Sequence, residues 1–416
     1  MEQIREYYNK YKFQVHLGVL TFLFLINCFW GEFVFVSLGL AIFLIIISTF
    51  EDAFSILVFC IPFISIASPY SYSLYLVGVF TFVVKAYIKM YVHDKLKPSK
   101  YLIATLVIFI LYLLIPFSPY NLNFFVKFVC LILLFLLLNI FLKYKDSIRL
   151  KYNVGILAIS VFISSLFLFT YPFSLYLQNE LTFYYSAGIP RFSALLPNPN
   201  PLAMICQIGL SILVAYIISK KAKPIDFWFF IIFATVGILT MSKTFIIVFT
   251  ILLIILFFYA LNTSPKTALV GIFSILVPLI FMLVLKNDFI MHYVNRFITG
   301  FLKDFSLTKI LNIITTGRYM LWMDYINYLV ANPLVLIFGR GLGAGLVSYE
   351  SPHNFFITLI YNIGLIGVAL FVLIIVAIIR VYRKNFTQKF NWAILIPFFV
   401  ITLIMLVEDF FLFIRV

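Results

Sequence analysis

The chain has 416 residues, of which 64% are hydrophobic, 19% aromatic and 11% charged. Soluble domains carry roughly 25% charged and 45–50% apolar residues, so this composition excludes a water-soluble enzyme, a disordered scaffold and a secreted disulfide domain. The net charge is +15, from 30 Lys and Arg against 15 Asp and Glu. It sits mainly in short loops between apolar runs, a pattern of membrane topology rather than of nucleic-acid binding.

The fold class is therefore all-α, a polytopic integral membrane protein. One crossing takes about 20 apolar residues, which gives about 12–14 transmembrane helices here. The polar, basic N-terminus leads into the first apolar run with no small-residue cleavage site, so an uncleaved first span is expected. Apolar runs follow in order at 14–30, 33–50, 53–68, 71–91, 101–118, 123–143, 154–172, 200–219, 225–241, 244–261, 267–285, 354–381 and 391–412. They group into N-terminal spans (1–172), central spans with a first outer loop (173–285), a large extracytoplasmic loop (286–353) and C-terminal spans (354–416). Cys28, Cys60, Cys130 and Cys206 lie inside apolar runs at no metal or redox spacing, and read as small buried side chains.

Basic residues set the orientation, because Lys and Arg near span ends stay in the cytoplasm. Arg5, Lys10 and Lys12 precede span 1; Lys95, Lys97 and Lys100 follow span 4; Lys143, Lys145, Arg149 and Lys151 follow span 6. Lys220, Lys221 and Lys223 follow span 8, Lys266 follows span 10, and Arg380, Arg383, Lys384 and Lys389 follow span 12. A cytoplasmic N-terminus puts all of them inside. Lys85, near the inner end of span 4, and Lys127, near the outer end of span 6, can snorkel.

A smaller set of cations falls outside: Arg191 in the first outer loop, Lys243 in a tight turn, and Arg318 and Arg340 in the large loop. Each alone reads equally well as a solvated or carboxylate-paired side chain. Their neighbourhood favours more. Asn198-Pro199-Asn200-Pro201 precedes span 8, and Ser351-Pro352-His353-Asn354 precedes span 12. The capping grammar points to Asn200 and Ser351 as N-caps, with Ser242 capping the span that Lys243 opens. All three helix starts face outward, where positive helix ends and guanidinium groups suit a phosphate or diphosphate.

His353 is expected in the first turn of its span, where a helix N-terminus disfavours the imidazolium and keeps a neutral base. The alternative is an interfacial histidine that only hydrogen-bonds a loop; His16 and His93 read as interfacial or cytoplasmic, and His292 sits in the outer loop. Gly364, eleven residues on, shares its face and permits close approach of another helix. Glu408 and Asp409, at the outer end of the last span, either brace the arginines or supply an alternative base.

These residues resemble a known family. Arg191-Phe192-Ser193-Ala194-Leu195-Leu196-Pro197-Asn198-Pro199-Asn200 is similar to the Arg-x-Ser-Gly-hydrophobic-x-x-Asn-Pro-Asn segment of the O-antigen polymerase and ligase superfamily, and fits its Arg-x3-Leu pattern. Ser242-Lys243 resembles a Ser-Arg pair, Gly317-Arg318 with Trp322 a Gly-Arg-x-x-x-Trp segment, and Gly341-Leu342-Gly343 a Gly-hydrophobic-Gly turn. His353 to Gly364 resembles the His-x10-Gly segment. The departures are Ala194 where glycine is common and Lys243 where arginine is common.

The resemblance implies a C-type glycosyltransferase-like fold in the bacterial cytoplasmic (inner) membrane, with the active site on the extracytoplasmic side. It implies a metal-independent, inverting transfer that needs no cofactor. The donor would be an undecaprenyl-diphosphate-linked glycan, and the acceptor a lipid-linked repeat unit (polymerase) or lipid A core (ligase). The Asn-Pro-Asn form favours the polymerase of O-antigen, capsule or exopolysaccharide. On this reading Arg191, Arg318, Lys243 and Arg340 hold the diphosphate and His353 is the base. Asn198, Asn200, Asn354 and Trp322 contact glycan, or else cap and pack. A chain-length regulator is a further candidate partner. A lipid or solute transporter and a membrane scaffold are the alternatives outside this class.

Overall fold

The computed structural model describes residues 2–63, 69–95, 99–115, 119–167, 170, 184–186, 189–196, 198–263, 315, 317–348, 350–382, 393 and 395–407. In chain order the helices are α1 (Glu2–Asn27), α2 (Val34–Ile47), α3 (Phe50–Cys60), α4 (Pro69–Ile88), α5 (Lys100–Leu113), α6 (Leu122–Lys143) and α7 (Leu150–Leu166). There follow α8 (Pro199–Ile218), α9 (Pro224–Leu239), α10 (Lys243–Thr263), α11 (Arg318–Ala331), α12 (Pro333–Phe338), α13 (Phe355–Tyr382) and α14 (Leu395–Val407). Among the described residues one antiparallel strand pair interrupts them: β1 (Tyr184–Ser186) and β2 (Ile189–Arg191), with Tyr184 opposite Arg191.

The protein is an all-α polytopic membrane protein. Five described helices are long and apolar enough to cross a membrane, at Tyr75–His93, Leu122–Lys143, Pro199–Ile218, Lys243–Asn262 and Phe355–Val381. Five shorter apolar helices accompany them. Outward-facing phenylalanines and Trp30 and Trp228, exposed by 64% and 62%, give the surface an apolar character suited to lipid. The span expected at 267–285 lies outside the described residues.

Two compact units divide the chain. The first takes Met1–Ala86, Lys145–Lys286 and Trp392–Val400. Its helices are joined by polar pairs that an apolar medium strengthens. Asn27 Nδ2 donates to Ser37 Oγ at 2.9 Å between α1 and α2, and Ser55 Oγ donates to Asn153 Oδ1 at 2.7 Å between α3 and α7. Lys151 Nζ lies 2.6 Å from the buried Asp226 carboxylate, which also accepts Lys223 N at the start of α9. The Lys85 ammonium donates to the carbonyls of Ile45 (2.8 Å), Ile46 (2.9 Å) and Ser48, closing the C-terminal end of α2.

The second unit takes Tyr87–Tyr144, Asn287–Asn391 and Ile401–Val416. Rings of α5, α6 and α13 form its core, with Phe109 edge-on to Phe135 at 5.5 Å and Phe135 5.0 Å from Phe371. α11 lays Tyr325 and Leu329 against Tyr361 of α13. The long helix α13 is broken at Gly364, whose φ of 63° and ψ of 178° are open to glycine alone. The turn after α12 meets this break backbone to backbone. Arg340 N donates to Tyr361 O at 2.8 Å and Gly341 N to Asn362 O at 2.9 Å. The Tyr112 hydroxyl lies 2.7 Å from Ile363 O and 2.8 Å from Phe338 O. These bonds satisfy the carbonyls the break releases. The close approach expected at Gly364 is therefore to a turn, and α13 is interrupted by it rather than running past it.

Candidate functional site

In the first unit, the site residues gather at one end of α8, α9 and α10. Residues 192–196 lead from β2 to α8, and Phe192 N donates to Leu239 O at 3.1 Å, which seats the segment on the last turn of α9. Gly237 of α9 faces the Phe245 ring of α10, so the two helices close on a turn at 240–242. The buried Arg191 then donates from Nε to Thr240 O at 3.1 Å and from NH2 to Asn200 Oδ1 at 2.9 Å. Two contacts fix the guanidinium plane. Lys243 opens α10, three residues after Thr240. Ile246 N bonds Ser242 O at 3.1 Å, which puts Ser242 in the cap position.

The cap of α8 differs from the expectation. Asn198, not Asn200, is the N-cap, its Oδ1 accepting Asn200 N at 2.9 Å, with Pro199 first in the helix. Asn200 is thereby released to hold Arg191. Ala194, the position at which the resembled segment carries glycine, has φ of 48°. That left-handed conformation is one glycine adopts without strain.

In the second unit, Thr315 starts α11 by accepting Tyr319 N at 2.9 Å on its hydroxyl, and Gly317 turns with φ of 87° into Arg318, the first helical residue. One turn on, Trp322 Nε1 donates to Pro352 O at 2.7 Å. This bond pins the residue before His353 and makes Trp322 an anchor of the loop.

His353 and the cap of α13 require a second correction. α13 begins at Phe355, and Asn354 is its cap: Asn354 Oδ1 accepts Phe356 N at 3.0 Å and Ile357 N at 3.1 Å. Ser351 does not cap it, and His353 lies before the helix rather than in its first turn. Two start signals stood three residues apart, and the chain uses the later one. Asn354 Nδ2 also donates to Leu406 O of α14 at 2.9 Å. His353 has φ of 47°, a conformation that costs a non-glycine residue about 1–3 kcal/mol and that clusters at functional sites. Its Nε2 is 3.7 Å from Glu350 Oε2, a carboxylate the sequence reading passed over.

Arg340 sits between Gly339 and Gly341, both at positive φ. Its NH1 donates to Tyr361 Oη at 2.8 Å, and its guanidinium lies over the rings of Tyr328 and Tyr361. On the same helix, Lys127 Nζ of α6 donates to Asn362 Oδ1 at 3.3 Å. Tyr328, Tyr361 and Asn362 carry no motif and were not legible as site residues. Glu408 and Asp409 lie outside the described residues.

No curated protein and no solved structure matches the chain. Residues 228–372, which include Lys243, Arg318, Arg340 and His353, match the family model described as O-Antigen ligase. That match covers 145 of the 416 residues, and it is this segment that is similar to the O-antigen ligase family.

Proposed function

We propose that the protein is a glycosyltransferase acting at the outer face of the cytoplasmic membrane, and that it moves a glycan from an undecaprenyl-diphosphate donor to a lipid-linked repeat unit. The observation that carries this reading is the family match over residues 228–372, a segment that holds the strained His353 together with Arg318 and Arg340. The candidate cations for the diphosphate are Arg191 and Lys243 of the first unit and Arg318 and Arg340 of the second. Charge grows on its oxygen as the glycosidic C–O bond breaks, and fixed cations stabilise that charge more in the transition state than in the ground state. His353 accepts the proton of the acceptor hydroxyl as that oxygen attacks the anomeric carbon. Undecaprenyl diphosphate leaves, and direct displacement inverts the centre. Asn200 orients Arg191, and Trp322 and Asn354 hold the chain on either side of His353. Glu408 and Asp409 are the alternative bases.

A second reading, transfer to lipid A core, is favoured by the description of the matched family as a ligase. One experiment separates the two. The purified protein is reconstituted in proteoliposomes with a defined lipid-linked repeat unit and no metal. A ladder of lengths identifies a polymerase; one shifted band that needs lipid A core identifies a ligase. Wild-type product from both His353→Ala and Arg318→Ala would refute the mechanism.

A further inference from the structure

We propose that Arg340, set in place by Tyr361 and Tyr328, forms an oxyanion subsite of the second unit that grips two oxygens of one carboxylate or phosphate. The guanidinium carbon lies 5.5 Å from the centroid of the Tyr328 ring and 5.9 Å from that of Tyr361. NH1 donates to Tyr361 Oη at 2.8 Å, and Tyr361 Oη donates in turn to Gly345 O at 2.5 Å. The tyrosine hydroxyl thus spends its proton on the loop and offers a lone pair to the arginine. The backbone is fixed as well, through Arg340 N to Tyr361 O at 2.8 Å. Both the main chain and the fork of Arg340 are therefore held by one residue of α13.

The charge is left uncompensated. Among the described residues no carboxylate is within ion-pair reach of Arg340, and its one side-chain hydrogen bond is the one to Tyr361. Arginine has five N–H donors in a rigid plane. The two aromatic faces and the Tyr361 oxygen favour the cation, and they leave its remaining N–H donors for an anion. The donor fork matches a two-oxygen anion, where a lysine would offer only a point charge. Under the transferase reading, on which the identity of the carrier rests, the anion is either the donor's diphosphate or an acidic group on the glycan. Tyr361 is then a positioning residue that acts through Arg340.

The test uses the full chain in lipid nanodiscs and follows the rise in melting temperature with added inorganic pyrophosphate or glucuronate, a mass-action readout of binding. Arg340→Lys keeps the charge and removes the fork. Tyr361→Phe keeps the ring and removes the acceptor, and should weaken binding roughly tenfold, the usual scale for a hydrogen bond to a charged group. Loss of response to pyrophosphate assigns the subsite to the donor, and loss of response to glucuronate assigns it to an acidic sugar. Unchanged responses to both anions in Arg340→Lys overturn the proposal, whatever the folding of Tyr361→Phe. A wild-type protein that binds the anion through Arg340 yet makes neither polymer nor ligated product sinks the transferase reading and leaves the subsite standing.

Discussion

Replacing Gly364 by alanine should unlock the second unit. The added Cβ would fall inside contact distance of Gly339 N and Ile337 O and 2.5 Å from Phe338 C, all of them backbone atoms that cannot rotate away. Three terms contribute. The conformation at Gly364 is essentially reserved for glycine, a strain of about 1–3 kcal/mol for alanine. Overpacking a rigid contact costs about 1–3 kcal/mol. Relief by separation breaks Arg340 N to Tyr361 O and Gly341 N to Asn362 O, about 1 kcal/mol each. The chain will take the cheaper combination, about 2–5 kcal/mol, against a total stability of about 5–15 kcal/mol for a typical domain. Melting followed by tryptophan fluorescence in detergent should fall by roughly 10 °C or more. Gly345→Ala is the control, since its new Cβ meets nothing within 4 Å. Indistinguishable melting of the two variants would show that the backbone contact is not tight, and the argument for the broken helix would fail.

Three other perturbations read separate parts of the molecule. Ala194→Gly should raise stability by about 1 kcal/mol, because it removes a left-handed alanine; a lower melting temperature would contradict the strain assigned there. His353→Gly should abolish glycan transfer while the melting temperature holds or rises, since the same substitution relieves φ of 47°; a large fall in stability would mean that the ring serves the fold. Lys151→Met should destabilise the first unit by about 3–5 kcal/mol by stranding the buried Asp226, and Asp226→Asn in the same chain should recover part of that in a chemical or thermal melt.

The spans were legible because hydropathy and loop charge are properties of whole segments, and α8, α9, α10 and α13 begin and end within a few residues of their expected places. The starts of α8 and α13 were misplaced for one reason. Asn198-Pro199-Asn200-Pro201 contains two equivalent start signals, and the choice depends on which asparagine Arg191 needs, a tertiary contact. Ser351 and Asn354 compete in the same way, and Asn354 gains the bond to Leu406 O of α14, 52 residues further along the chain. The break at Gly364 left no trace in the hydropathy, since an apolar run stays apolar whether or not its helix is continuous. Tyr328 and Tyr361 were hidden because nothing in a membrane sequence rich in tyrosine tells a ring that flanks a guanidinium from one that faces lipid.

Lys85 and the short helix α2 have a consequence for the surrounding bilayer. Fourteen residues make a rod about 21 Å long, well short of a hydrocarbon layer about 30 Å thick. Such a stub is tolerable in oil only because an ammonium group seals its open carbonyls. Phe35, Phe43 and Ile46 nevertheless turn outward along it, so acyl chains must shorten or tilt to wet that flank. Hydrophobic mismatch is thus built into the scaffold, and this face of the molecule is at rest in thin membranes and strained in thick ones.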